Sequence, residues 1–359
     1  SWGVILFLRR LRPITFAAVG VVCFFLGFGL SITRYRNWQW AYAPARTTTN
    51  DRMAWGLLRA VRMGQQLDSQ RQSMQLAAEA AVTDTVASPL GGEVNVILVL
   101  GESARAASMQ CYGYPLPTTP HLSQLAQAGE LCIFSNAVSP ANATIASTQA
   151  MLTYYTNERP KDHWHQYPDL LSVLKRGGYA TAWITNQEST GGPWSVQQLF
   201  GSAADTLMGN AYRLNKTNDL FLSDSLFYDE QLLPHLLTFD EVAKAQPHKR
   251  GLFAVVHLMG SHAGYAHRYP KRFARFGAKD IAQTLSPAQK EVVAQYDNSI
   301  LYNDYVVSQI MEHYSHSRSL VIYVSDHGEG LFDDPKNLDF VGHAGNALAP
   351  NIVKVPFMV

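Results

Sequence analysis

Cysteine is scarce in this chain: only Cys23, Cys111 and Cys132 occur in 359 residues. No CxxC pair and no Cys/His zinc-finger spacing is present, which argues against a disulfide framework and against a thiolate metal site. Three cysteines do not decide the redox compartment. Charge is sparse too, at 16% of residues with a formal net charge of +1. Without a Lys/Arg-rich stripe interleaved with aromatics, no nucleic-acid partner is expected. Internal repeats and low-complexity tracts are missing, which excludes a solenoid. So is an initiator Met: the chain opens on the apolar "SWGVILFL". That stretch reads as the tail of another hydrophobic segment, so the chain is expected to start inside a longer membrane protein.

What is present begins with a long uncharged run, "ITFAAVGVVCFFLGFGLSI", residues 14–32. A bilayer core needs roughly 20 helical residues, and this run fits. It is longer than a usual signal-peptide core and has no small-residue cleavage site. Residues 1–34 are therefore expected to be a transmembrane segment, a fragment of a larger membrane domain. Arginines flank the run on both sides, so charge alone sets no orientation. Residues 35–92 read as a juxtamembrane helical connector. Trp38, Trp40 and Tyr42 stand where an interfacial aromatic belt would lie. The helical stretch that follows either lies on a membrane surface or packs on the next domain, and "SPLGGE" closes it as a turn-rich boundary.

From residue 93 to 359 strands and helices alternate. "VNVILVL", "ATAWITN", "GLFAVVHLMG", "SLVIYVS" and "VKVPFMV" read as strands. Their apolar runs lack period-2 alternation, which predicts a mostly parallel sheet buried on both faces by helices. Ser286 and Pro287 start a long helix, and Pro120 and Gly129 bracket a shorter one.

In such sheets ligands bind beyond the carboxyl ends of the strands. Three strands end in candidate ligands: Glu102 after the first, His257 and His262 at another, and Asp326-His327 with Glu329 next at a third. "VGHAGN" adds His343 between glycines as a candidate second-metal ligand, and "HAGYAHRYP" adds His267. Mixed carboxylate and imidazole donors favour zinc or manganese over magnesium or calcium. Thr144 stands at the start of a helix in "SPANATIASTQAML". On residue type alone it reads as an N-cap.

With "GESARAASMQCYGYPLPTTP", "HLMGSHAGYAHRYP", "YDNSILYNDYVVSQI", "YVSDHGEGL" and "VGHAGN" in this order, the chain resembles the phosphoethanolamine transferases of Gram-negative envelopes, within the alkaline phosphatase/sulfatase superfamily. The resemblance covers roughly residues 94–359 and implies an alkaline phosphatase/sulfatase-like α/β sandwich. It implies one tightly held zinc ion (Zn2+) on Glu102, Asp326, His327 and Thr144, with room for a second and with Mn2+ as the lesser candidate. Thr144, not Ser103, would be the nucleophile. His262 and His343 would contact the transferred phosphoryl group or a second zinc. Asn186, Gln187 and, less strongly, His257 would help to bind substrate.

The implied reaction moves phosphoethanolamine from phosphatidylethanolamine through a covalent threonine intermediate to a lipopolysaccharide or other envelope glycan acceptor. The implied location is the bacterial inner membrane, with residues 35–359 in the periplasm. Several relatives that modify lipid A carry a disulfide near the nucleophile. Pro140 or Ala141 and Ala150 stand at those positions here, which leans toward the branch acting on core sugars or other glycans. The chain departs from the family's five membrane helices and stops at "KVPFMV", short of the usual C-terminus. The rivals are a phosphoglycerol transferase on the same fold and an inactive membrane lipid sensor. A sulfatase is disfavoured because no Cys/Ser-x-Pro-x-Arg motif exists.

Overall fold

A computed structural model describes residues 13–35, 49–81, 93–159, 161–187, 196–209, 228–245, 250–343 and 349–359. Trp38, Trp40, Tyr42 and most of the "SPLGGE" boundary lie outside them. The chain divides into two compact units, Ser1–Gln70 and Arg71–Val359.

In the first unit, helix α1 covers Pro13–Tyr35, and helix α2 starts at Thr49 and runs to Ala81. The run expected to span a bilayer is thus helical. Among the described residues, however, no helix is long and apolar enough to cross a membrane. Ser31 Oγ donates to Asp51 Oδ1 at 2.7 Å, a buried bond between the two helices. The last turns of α2 belong to the second unit. Met74 and Ala78, one turn apart, are buried there and share a cavity of about 380 Å³ with Asp169, Leu199 and Ser202. For these turns, packing is the placement observed.

The second unit is built on one sheet. Its elements are β1 (Asn95–Gly101), α3 (Pro120–Ala128), α4 (Thr144–Leu152), α5 (Leu170–Arg176), β2 (Ala180–Thr185), α6 (Val196–Ala203), β3 (Thr206–Gly209), α7 (Leu232–Lys244), β4 (Leu252–His257), α8 (Pro287–Tyr314), β5 (Ser319–Ser325), β6 (Gly330–Leu331), β7 (Val341–Gly342), α9 (Pro350–Val353) and β8 (Phe357–Met358). The sheet order is β3-β2-β4-β1-β5-β8, and β6 and β7 form a separate hairpin. Strands β1 to β5 pair in parallel, and β8 runs antiparallel to β5. The closing "VKVPFMV" is shorter than the sequence suggests because Pro356 has no N–H for a ladder, so only Phe357 and Met358 pair. The edge strand β3 carried no sequence signal of its own.

Register positions the site. Leu100 and Thr185 both lie opposite His257, and Gly101 lies opposite Ser325. The carboxyl ends of the four central strands are therefore level, and the residues just beyond them meet. Strands β2 and β4 are buried throughout, as expected for a parallel sheet covered on both faces. Helix α8 starts with a capping box, Ser286 Oγ accepting from Gln289 N and Gln289 returning the bond. All three cysteines are free.

One buried carboxyl on α8 gives a test of this packing. Asp297 is fully buried. Its Oδ2 accepts from Tyr114 Oη at 2.8 Å, while Oδ1 has no partner. Burial pushes its pKa up to about 7, against the Tyr114 bond and the Arg105 charge. The folded state thus holds a proton that the unfolded state has lost above about pH 4. Stability on this account falls as pH rises from about 4 through 7, and the cost is complete above that. Asp297→Asn is expected to melt several degrees higher than wild type at pH 8, by on the order of 4 kcal/mol. At pH 4 the two are expected to melt together. Thermal melts at both pH values check this; equal melting at pH 8 would mean that the carboxylate costs nothing there.

Candidate metal centre

The turn after β1 places Glu102 at the bottom of the site, almost fully buried. Ser103, next to it, adopts φ 56°, a left-handed conformation that costs a non-glycine residue roughly 1–3 kcal/mol. Tertiary bonds hold it there. Its N–H donates to Asp326 Oδ1 at 3.1 Å, and its carbonyl accepts from Tyr296 Oη at 2.7 Å. Gly260, at φ 53°, lies against this turn; a Cβ there would stand 2.6 Å from the Glu102 carbonyl oxygen. Gly328, after the Asp326-His327 pair, has the same need: its Cβ would meet the Asn351 carbonyl oxygen at 2.2 Å. Both glycines permit backbone approaches that no side chain allows.

Four groups converge. Thr144 opens α4, but Ala143 occupies the cap position. The N-cap reading of Thr144 therefore fails, and its hydroxyl is directed into the site. Oγ1 lies 3.3 and 3.2 Å from the two Glu102 carboxylate oxygens and 3.2 Å from His327 Nε2. His327 Nε2 in turn lies 3.4 Å from Glu102 Oε1 and 3.4 Å from Asp326 Oδ2. His327 Nδ1 is 2.8 Å from the Gly328 carbonyl oxygen, so it carries a proton, and Nε2 is the nitrogen turned toward the carboxylates. Asp326 Oδ2 is buried without a hydrogen bond.

These facts fit a metal ion. A tetrahedral cation with bonds of about 2.0–2.1 Å separates its ligands by roughly 3.3–3.4 Å, the spacing seen among these atoms. An unpartnered buried carboxylate oxygen is costly unless a cation is meant to meet it. Glu102, Asp326 and His327 all offer ligand atoms within 4.8 Å of one another. The electrostatics agree. Burial disfavours the Glu102 charge, but His327, His262 and the Gln187 amide together hold its carboxyl well below the usual range. Burial and the Glu102 charge push Asp326 up to about 7. Burial opposes protonation of His327, yet Asp326 and Glu102 raise it to about 10. Without a cation, a proton on the imidazole balances two carboxylates.

His262 and His343 belong to the same constellation. Burial lowers the His262 pKa against the pull of the Glu102 charge, and its Nδ1 is buried without a partner. The His343 ring lies 4.0 Å from the His327 ring, and its Nδ1 lies 2.7 Å from Glu329 Oε2. Gln187 Nε2 donates to Glu102 Oε2 at 2.9 Å and to the Leu258 carbonyl oxygen at 2.9 Å, so it orients the carboxylate.

Two of the expected substrate-binding residues lie elsewhere. Asn186 Nδ2 donates to Asp229 Oδ1 at 2.7 Å. Asp229 also accepts from the N–H groups of Met259 and Gly260, so Asn186 braces the Gly260 turn. His257 has no exposed surface and packs edge-on against Trp183. Burial lowers it to about 4, which keeps it neutral. Glu329 and Tyr265 are placed in the site without having been assigned a role from sequence. Tyr265 Oη donates to Glu329 Oε1 at 2.6 Å. The only sequence signal for Glu329 is its place two residues past the Asp-His pair.

With this geometry in hand, known proteins supply the context. The sulfatase family model matches residues 94–359. Phosphoethanolamine transferase EptC of Escherichia coli strain K12 is 33% identical over 245 residues, 67% of this chain and 40% of its own length. Phosphoethanolamine transferase CptA of Salmonella typhimurium is 31% identical over 269 residues, 74% of this chain and 44% of its own. The chain thus spans about two-fifths of the length of these curated relatives. Among solved structures, the periplasmic domain of E. coli EptC in complex with Zn superposes with a TM-score of 0.65 at 30% identity, covering 75% of this chain and 72% of that one. The integral membrane protein EptA of Neisseria meningitidis, at 22% identity and a TM-score of 0.57, covers 96% of this chain and 61% of its own, and shares the fold. By the span of the family match the chain belongs to the sulfatase family, and the curated relatives it matches are named phosphoethanolamine transferases.

Proposed function

We propose that this chain is the catalytic part of an inner-membrane enzyme that moves phosphoethanolamine from phosphatidylethanolamine to an envelope glycolipid or glycan. One observation carries the reading: a threonine hydroxyl at the head of a helix, set within 3.3 Å of a buried carboxylate and an imidazole nitrogen. Thr144 Oγ1 attacks the phosphorus. The Oγ1–P bond forms, the bond from phosphorus to the diacylglycerol oxygen breaks, and the hydroxyl proton leaves on diacylglycerol. In the second step an acceptor oxygen displaces Thr144, which takes the acceptor's proton. Glu102, Asp326, His327 and Thr144 would hold zinc, which lowers the pKa of a bound hydroxyl and offsets charge on the phosphoryl oxygens. His262 and His343 would contact the transferred phosphoryl group.

The exposed apolar side chains Val21, Val22, Phe25, Leu26 and Leu30 of α1 support its role as an anchor that keeps the site near its lipid donor, with the second unit in the periplasm. Pro140, Ala141 and Ala150 in place of a disulfide support a core-sugar or other glycan acceptor.

Intact mass after incubation with zinc and phosphatidylethanolamine vesicles tests the donor. A gain of one phosphoethanolamine mapped to Thr144 is expected. A phosphoglycerol adduct from phosphatidylglycerol would assign the protein to the phosphoglycerol transferases instead. No adduct from either lipid, with zinc bound, would favour a lipid sensor.

A further inference from the structure

We infer that Tyr265 and Glu329 are positioning residues for His343, forming a Tyr265–Glu329–His343 relay. The inference rests on the transfer reading above and deepens it. By proximity alone Glu329 is a candidate metal ligand, since its carboxylate and the nitrogens of His327 and His343 lie within 4.8 Å of one another. Its bonds support a positioning role instead. Each of its two oxygens is taken by a protein donor: Oε1 by Tyr265 Oη at 2.6 Å, Oε2 by His343 Nδ1 at 2.7 Å. Glu329 is fully buried and Tyr265 nearly so, which makes both bonds charge-assisted in a dry setting and therefore strong.

The consequence falls on His343. With Nδ1–H given to a carboxylate, the ring is fixed in one tautomer, and Nε2 is the nitrogen left for the reaction. The ring is held 4.0 Å from the His327 ring, at the mouth of the site and partly exposed. In the second step an acceptor oxygen bonds to phosphorus as the P–Oγ1 bond to Thr144 breaks. The acceptor's proton ends on Thr144 Oγ1, and His343 Nε2 is held in one orientation beside the reacting groups. Glu329 fixes the ring through its bond to Nδ1, and Tyr265 keeps the Glu329 carboxylate from rotating. The relay draws on the β4 loop, the β5 loop and the β6–β7 hairpin, so it also ties three segments of the rim together.

The test uses the full chain in detergent with zinc, phosphatidylethanolamine vesicles as donor, and water as acceptor. Diacylglycerol release gives a burst for adduct formation and a steady rate for turnover. Tyr265→Phe and Glu329→Gln are expected to keep their zinc and their burst amplitude. The steady rate is expected to fall by about 10-fold in Tyr265→Phe and about 100-fold in Glu329→Gln, with KM within about twofold. In wild type, the His343 Nδ1 proton should give a strongly downfield NMR resonance that shifts in Glu329→Gln. Zinc loss in Glu329→Gln, with turnover restored by excess zinc, would make Glu329 a ligand and overturn the inference. An unchanged rate in both zinc-loaded variants would overturn it as well. If wild type forms no adduct, the transfer reading fails by itself; the resonance then still decides the relay, supported by a shift in Glu329→Gln and refuted by none.

Discussion

Thr144→Ala is expected to abolish the covalent adduct and to lower turnover by at least about 10³-fold, while zinc content falls only in part. The size follows from what the hydroxyl does: losing a nucleophile leaves only the binding and electrostatic parts of the site. The partial zinc loss follows from the ligand set, since Glu102, Asp326 and His327 still offer three donors. Thr144→Ser tests the side chain's other half. Threonine is stiff about χ1 because two groups crowd its Cβ, and here that stiffness holds Oγ1 at 3.2–3.3 Å from three acceptor atoms. Serine keeps the oxygen and loses the restraint, so it is expected to keep the adduct and to turn over about 3- to 10-fold more slowly. The backbone contributes as well. No side chain caps α4, so the N–H groups of its first turn remain available to an anion. If Thr144→Ala turned over at the wild-type rate, a water or the acceptor itself would be the nucleophile.

The sequence made half of this site legible. Glu102, His262, Asp326 and His327 stand at ends of apolar runs, and apolar runs without alternation identify buried parallel strands. Once the strands are parallel, their carboxyl ends must meet. Thr144 was legible only through resemblance, because a small hydroxyl residue before a helix looks like a cap; the true cap, Ala143, carries no signal. Glu329 and Tyr265 are 64 residues apart in the chain, and nothing local reveals that they share a bond. Asn186 misled for the opposite reason. An amide just past a strand end looks like a substrate donor, but Asp229, 43 residues away, takes its hydrogen bond. The strand ends report where a site is; which polar groups face the ligand depends on loop geometry that hydrophobic periodicity does not encode.

Asp326→Asn is expected to shift stability in opposite directions with and without zinc, and this crossing separates a metal ligand from a structural carboxylate. In the zinc-free protein Asp326 is a liability. Its Oδ2 is buried with no hydrogen bond, and burial and the neighbouring Glu102 charge both disfavour its ionised form. Asparagine relieves that charge and keeps the useful bonds. Its Oδ1 can still accept from the N–H groups of Ser103 and His327, and the His327 proton stays paired with Glu102. The zinc-free variant is therefore expected to melt at or above wild type at pH 8. With zinc the order reverses. A metal at 100 times its Kd stabilises the folded state by about 2.7 kcal/mol, and a carboxamide is a far poorer ligand than a carboxylate. The wild type is expected to gain several degrees on adding zinc and the variant almost none, with transfer down by about 10³-fold. Calorimetry of both proteins, chelated and zinc-loaded, reads the two signs directly. A variant that melts lower than wild type by the same amount in both states would show that Asp326 serves the fold alone. The strand end would then need no cation to explain its two carboxylates.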